Sequence, residues 1–291
     1  MNIAYLILCH KNPKQVQMLV NTLKAKHTDF YIHVDKKTND FTLLESNNVF
    51  LLPYDRCVDV KWATKSMVVA TMELIHFMLE HKKEYDYVFL ISGQDFPIKT
   101  SEEIEKYLID NHGCNFIEVL SHSDNMYKRY KKRNDLYYPT WMQDSKVLKK
   151  IIKKLYIYLS GGYKYTFRPF RRKNTTGLSF EFGSQWWCLT YDCLKWIANY
   201  IDKHKILMDF FEYALTPDEC LFQTVFMHSP FKYTQHDKIT YLEWSENKNN
   251  PRILKSKDYN LLKQSDCLFA RKFDIDIDET IVKLLIKGEH I

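Results

Sequence analysis

Glycine is scarce, with seven in 291 residues. None falls into Gly-x-Gly-x-x-Gly or Gly-x-x-x-x-Gly-Lys spacing, which excludes the two common Gly-rich phosphate loops. The seven cysteines are odd in number and never spaced Cys-x-x-Cys. Neither a disulfide framework nor a zinc site is expected, and reduced thiols in the cytosol are the simplest account. No apolar run approaches the ~20 residues that span a bilayer. Met1 leads straight into a strand pattern, without a basic start or a cleavage site, so no targeting signal is read. Internal repeats and low-complexity linkers are also missing. The expectation is a soluble or peripherally bound cytoplasmic protein.

Apolar residues, by contrast, are plentiful at 45%, with 15% aromatic. A chain so composed buries one large core or two modest ones. Its pattern alternates. Strands are expected at Ile3–Cys9, Phe30–Val34, Val49–Leu52, Tyr87–Ile91 and Asn115–Val119. Helices are expected from Pro13 to about Lys26, over Ser66–Glu80 and over Ser101–Ile109, the last opened by serine with Glu102 and Glu103 at its positive end. An aromatic-rich strand over Phe182–Thr190 precedes a helix at Tyr191–Ile201. This alternation predicts an α/β fold with a mixed, mostly parallel central sheet flanked by helices.

The strand at Tyr87–Ile91 runs into Ser92-Gly93-Gln94-Asp95-Phe96-Pro97-Ile98-Lys99. Ligands of open α/β sheets bind just beyond the carboxyl ends of strands, which makes Asp95 and Lys99 candidates for chemistry. The same residues would equally serve a plain strand-to-helix connection with Asp95 capping a turn.

Net charge is only +6, but it is uneven. From Tyr127 to Lys173 the cations Lys128, Arg129, Lys131, Lys132, Arg133, Lys146, Lys149, Lys150, Lys153, Lys154, Arg168, Arg171, Arg172 and Lys173 face only Asp135 and Asp144. Val147–Tyr156 reads as a basic amphipathic helix. It could lie on an anionic membrane, face an anionic acceptor, or simply cover the core. No nucleic-acid reading motif accompanies it.

Three further segments carry chemical side chains. Trp186 and Trp187 could stack on sugar rings, although Trp187 is the better core residue. Thr216-Pro217-Asp218-Glu219 has helix-start composition, so its acids either favour the helix dipole or supply a general base at a cleft. Phe269-Ala270-Arg271-Lys272-Phe273 sets two cations between apolar anchors, able to neutralise a diphosphate. Asp274, Asp276 and Asp278 mimic a metal-binding Asp-x-Asp, but alternation on an extended segment would place them on one solvated edge.

Taken in order, His10-Lys11-Asn12-Pro13, Ile32-His33-Val34-Asp35-Lys36, Leu90 to Lys99, Gly183-Ser184-Gln185-Trp186-Trp187, Pro217-Asp218-Glu219 and Phe269 to Phe273 resemble the core 2/I-branching β-1,6-N-acetylglucosaminyltransferases and the peptide O-xylosyltransferases. The likeness covers nearly the whole chain and is poorest over Tyr127 to Thr176. It implies a GT-A-like nucleotide-sugar transferase that inverts the anomeric centre. It also implies one catalytic domain over 1–291: a nucleotide-binding half at 1–120, a basic variable insertion at 121–180, and an acceptor-binding, catalytic half at 181–291. Unlike the eukaryotic relatives, the chain shows no membrane anchor or stem, and the expectation is a bare catalytic domain of bacterial type.

By that resemblance, Glu219 is the catalytic base, with Asp95 as the rival base or an acceptor ligand. Asp35 and Ser66 lie at the nucleotide, and Lys272, helped by Arg271 or Arg252, meets the diphosphate in place of a metal. Gln94, Trp186 and Asp218 lie at the acceptor. The expected donor is a UDP-sugar carrying GlcNAc or xylose. The expected acceptor is a glycan or lipid-linked saccharide, and no cofactor or divalent metal takes part. Peripheral contact with the inner face of a membrane, through the basic segment, is a further expectation. The alternative is a non-catalytic module that binds carbohydrate or anionic lipid. Retention of Glu219, Asp95 and Lys272 argues against it.

Overall fold

The structure is a computed structural model that describes residues 1–44, 46–138, 147–162, 172–244 and 251–288, with the backbone alone given for 147–149. In chain order it contains β1 (Ile3–Cys9), α1 (Pro13–Leu23), β2 (Thr28–Val34), β3 (Val49–Leu51), α2 (Lys65–Glu80), β4 (Tyr87–Ser92), β5 (Asp95–Pro97), α3 (Ser101–Asp110) and β6 (Asn115–Phe116). Then follow α4 (Asn125–Asp135), α5 (Val147–Leu159), β7 (Trp187–Thr190), α6 (Tyr191–Lys203), α7 (Lys205–Phe210) and α8 (Leu221–Met227). The chain closes with β8 (Gln235–His236), β9 (Thr240–Leu242), α9 (Tyr259–Lys263), β10 (Phe269–Arg271) and α10 (Glu279–Lys287).

Seven strands form the central sheet in the order β3-β2-β1-β4-β7-β6-β8. β3, β2, β1 and β4 are mutually parallel, β7 runs antiparallel to β4 and β6, and β8 is parallel to β6. This is the mixed, mostly parallel sheet of a GT-A-like α/β fold. β1, β2 and β4 read as continuous apolar runs because both of their faces are covered. Leu6, Tyr31, Val88 and Leu90 point to a core shared with α2, α6 and α8. Tyr5, Ile7, Phe30, Ile32, Phe89 and Ile91 point to the opposite core, against α1, α3 and α10. Tyr5 stacks between Phe30 and Phe89, with centroids 5.4 and 5.0 Å away.

A second, three-stranded sheet has the order β5-β10-β9. β10 pairs antiparallel with β5, and this register sets Arg271 opposite Asp95. Gln15, buried on α1, ties the two sheets together. Its amide donates to the carbonyls of Gly93 (2.7 Å) and Phe273 (3.2 Å), and its carbonyl accepts from Ile275 N–H (2.9 Å).

Several local expectations need correction. α1 stops at Leu23 rather than Lys26, and β6 shortens to two residues. Thr100, not Ser101, caps α3, in a reciprocal capping box with Glu103. Thr216 does not cap a helix: it sits at φ 56°, and Pro217–Glu219 form a 3₁₀ turn ahead of α8. The chain turns at Gly93–Gln94. A Cβ on Gly93 would lie 2.9 Å from Cys9 Cβ and from Val16 Cγ2, so close packing onto β1 and α1 requires the glycine. Asp274–Asp278 is not an extended edge, because Ile275–Ile277 form a turn.

Candidate active site

A cavity of about 900 Å³ opens at the carboxyl ends of β1, β2 and β4, where open α/β sheets bind ligands. Cys9 and His10 at the end of β1, His33 and Asp35 at the end of β2, and Ser92 and Gln94 at the end of β4 line it. Arg271 and Lys272 lie beside them. The same cavity is lined by Asp218 and Glu219 on their 3₁₀ turn, and by Arg129, Tyr130 and Arg133 of α4.

The cation side is braced from below. Arg271 is buried, and its Nε lies 3.1 Å from Asp95 Oδ1. The contact is an ion pair rather than an aligned hydrogen bond. Ser92 N–H donates to the other carboxylate oxygen of Asp95 at 2.5 Å. The guanidinium lies 4.2 Å from the ring centroid of Trp186, within cation–π range. Burial pushes Asp95 up and Arg271 down, each opposed by the other's charge. Burial and the neighbouring Arg271 also push Lys272 down. A dianionic group bound here would relieve both deficits at once.

The acid side is set by chain packing. Thr216 N–H donates to Ala63 O at 2.9 Å, and Gly183 N–H donates to Glu219 O at 3.0 Å. A Cβ on Gly183 would come within 1.8 Å of Glu118 O, so only glycine lets the segment ahead of β7 approach and hold the turn. The Tyr130 hydroxyl donates to Glu219 Oε1 at 3.4 Å. Burial raises the carboxyl pKa of Glu219 above its ordinary 4.5, while Arg133 opposes the shift. Asp218 is driven further up, by burial and then by Glu219. The pair therefore titrates as a unit. Both carboxyls are thus pushed toward the protonated form, Asp218 by burial and by Glu219, while Arg133 favours the ionised form of Glu219.

The sequence-derived candidates divide. Asp35, Gln94, Trp186, Asp218, Glu219, Arg271 and Lys272 all line the cavity. Asp35 is already engaged: it accepts from Lys37 N–H at 3.0 Å and lies 3.3 Å from Lys37 Nζ. Ser66 does not line the cavity. Its hydroxyl accepts from Lys61 N–H at 2.7 Å and braces the loop that carries Val60 and Trp62 into the wall. Arg252 is turned away, in a bidentate pair with Asp258 at 2.6 and 2.9 Å. Lys99 lies beyond the cavity wall. Asp95 lies beneath the wall, 1% exposed, so it supports Arg271 and is not presented to a substrate.

The acidic triplet has other duties. Asp274 is paired with Lys11 and accepts from Asn12 at 3.1 Å. Asp278 caps α10 and accepts from Ser256 N–H at 2.9 Å. No cluster of three or more His, Cys, Asp or Glu side chains suited to a metal occurs among the described residues.

Sequence reasoning missed four participants. Tyr130 carries no motif and reaches Glu219 only through the packing of α4. Glu118 and Lys238 pair across the cavity rim from distant parts of the chain. His33 lies within a quoted motif, but its role is structural. Its Nε2 accepts from Val58 N–H at 2.9 Å, and burial lowers its pKa, so it stays neutral and fixes the 58–62 loop.

Arg271, Lys272, Asp218 and Glu219 thus line one cavity at the carboxyl ends of the parallel strands of a mixed α/β sheet. The chain belongs to the Core-2/I-branching enzyme family, whose model matches residues 3–264. It is 23% identical over 310 residues to xylosyltransferase 2 of Canis lupus familiaris, covering 97% of this chain and 33% of the relative. Identity to xylosyltransferase 2 of Mus musculus is 24% over the same length and coverage. Xylosyltransferase 1 of Rattus norvegicus is 23% identical over 307 residues, covering 96% of this chain and 34% of the relative. The chain thus spans about a third of the length of the curated relatives it matches.

Proposed function

We propose that this protein is an inverting glycosyltransferase that moves GlcNAc or xylose from a UDP-sugar to a hydroxyl of a glycan or other acceptor. The observation that carries the reading is that Arg271, Lys272 and Glu219 line one cavity. The names of the xylosyltransferase relatives support the sugar-transfer chemistry.

In this reading the nucleotide packs against the β1 and β2 ends, by Asp35, and its diphosphate meets Lys272 and Arg271. The acceptor hydroxyl lies between the anomeric carbon and Glu219. Its oxygen attacks the anomeric carbon, the hydroxyl proton passes to Glu219, and the bond from carbon to phosphate oxygen breaks. The electron pair of that bond leaves on the UDP β-phosphate, where Lys272 and Arg271 meet the growing charge. A single displacement inverts the anomeric centre.

No divalent metal is needed in this scheme. Its support is that the two cations already occupy the wall, while Asp274 and Asp278 are bound to other groups. Incubation with UDP-GlcNAc and with UDP-xylose, in EDTA and with a panel of hydroxyl acceptors, tests the reading by UDP release and product mass. Release dependent on acceptor and on Glu219 is expected. Failure with every nucleotide sugar, together with no thermal protection by UDP, would overturn it.

A further inference from the structure

α5 is amphipathic in the unexpected direction. Ile151, Ile152, Leu155, Tyr158 and Leu159 recur at i, i+1, i+4, i+7 and i+8, a single stripe on the helix. They are 57, 47, 56, 80 and 74% exposed. Among the described residues the inward face is narrow. Ile157 is buried with Tyr138, against Leu136 and Leu215, and half-buried Lys153 lies 5.8 Å from the Tyr138 ring centroid. A surface helix over a core shows the reverse arrangement, apolar inside and polar outside.

The charge around the stripe is of one sign. Lys150 and Lys154 are exposed on the same helix, and the sequence has no acid between Asp144 and Glu181. Arg172 is not a free surface cation. It is half-buried over the Phe210 ring at 3.8 Å and donates to Asn134 O at 3.3 Å, and burial lowers its pKa to about 10. α5 is 13 residues long, about 20 Å. It is too short to span a bilayer but long enough to lie in an interface.

We infer that α5 docks the protein on a membrane surface rich in anionic lipid, with the 151–159 stripe in the headgroup–acyl boundary and Lys154, at its border, reaching the headgroups. Lipid fits the stripe better than a protein partner because apolar side chains with cations at their border match both layers of that boundary. The inner contact of α5 is with Leu215, next to the Thr216–Glu219 turn. Leu136 and Tyr138 continue the chain from α4, which lines the cavity. Docking would thus hold the cavity close to the bilayer, where a lipid-linked acceptor would present its hydroxyl. That last consequence rests on the proposed transferase reading; docking itself does not.

Sedimentation with phosphatidylcholine vesicles, with and without phosphatidylglycerol, tests the inference without any transferase assay. The protein should bind the anionic vesicles and release as salt rises, because exposed charges act over only ~8 Å at physiological ionic strength. The triple variant Ile151→Ser, Leu155→Ser, Leu159→Ser should bind at least ~100-fold more weakly, given three apolar side chains removed from the interface. Its UDP binding should be unchanged. Tyr158→Trp reports independently of any loss of folding in the serine variant: its emission should shift to the blue with anionic vesicles. Equal binding to both vesicle types, unchanged binding by the serine variant, or an unshifted Tyr158→Trp spectrum would overturn the proposal. A dimer in solution that the same serine substitutions dissociate would assign the stripe to a second copy of the chain and equally overturn it.

Discussion

The guanidinium of Arg271 lies between Trp186 and Asp95, 4.2 Å from the indole centroid and 3.1 Å from the carboxylate. Both partners come from parts of the chain far from β10, and together they hold a buried positive charge at the cavity floor. Asp95→Asn leaves that charge without its counter-ion. Removing one partner of a buried pair costs about 3–5 kcal/mol, so the melting temperature should fall and UDP affinity should drop with it. If Asp95 were instead the base, the variant would keep its stability and its UDP affinity while losing turnover. Thermal denaturation beside a UDP titration separates the two.

Glu219→Gln retains shape and removes basicity. Turnover should fall by about 10²–10⁴-fold, the range for general base catalysis, while UDP affinity stays within a factor of two to three. Activity should require the ionised form and rise with pH through the Glu219 pKa. Burial places that limb above the ordinary 4.5. A pH–rate profile of kcat should show the limb in the native enzyme and lose it in the variant. Near-normal turnover would remove Glu219 from the mechanism.

Tyr130 tunes that limb. Its hydroxyl bond to Glu219 Oε1, at 3.4 Å, favours the carboxylate. Tyr130→Phe should therefore move the acid limb to higher pH, with kcat on the alkaline plateau little altered. A purely structural role would instead lower the plateau and leave the limb in place.

Asp218 carries a stability signature. Its folded pKa lies well above 3.8, so the folded state holds the proton more tightly than the unfolded chain does. That contribution is full below the unfolded pKa and is lost as pH rises through the folded one. Asp218→Asn cannot ionise and escapes the loss. Its stability relative to the native protein should grow as pH rises from the ordinary aspartate range. Denaturant melts across that window would show a constant difference if Asp218 ionised normally.

Much of this arrangement is legible in the sequence, for identifiable reasons. β1, β2 and β4 are apolar on both faces, so their runs stand out, and Gln94, Trp186, Glu219 and Lys272 reach the cavity because their motifs follow strands or turns. Where the structure departs from the local reading, the cause is long-range packing. Asp95 reads as a candidate base because nothing local reveals that β5 pairs with β10, some 175 residues on, in the register that buries it against Arg271. Thr216 has the composition of a cap, but its hydrogen bond to Ala63 O holds it left-handed. Arg252 looks free until Asp258 closes on it. The α5 stripe shows its apolar period in sequence, yet only the fold reveals which way it faces. Lys146, Arg168 and Arg171 of the basic segment, and the side chain of Lys149, lie outside the described residues.

In the proposed mechanism Lys272 and Arg271 hold a nucleotide diphosphate without a metal. Calorimetric titration with UDP in EDTA, of the native protein and of Lys272→Ala, tests this most directly. Native affinity should survive the chelator, and loss of one charge-assisted contact of about 1.5–3 kcal/mol should weaken Lys272→Ala by roughly ten- to a hundred-fold. Binding that disappears in EDTA and returns with Mn²⁺, or equal affinity in the two proteins, would contradict it.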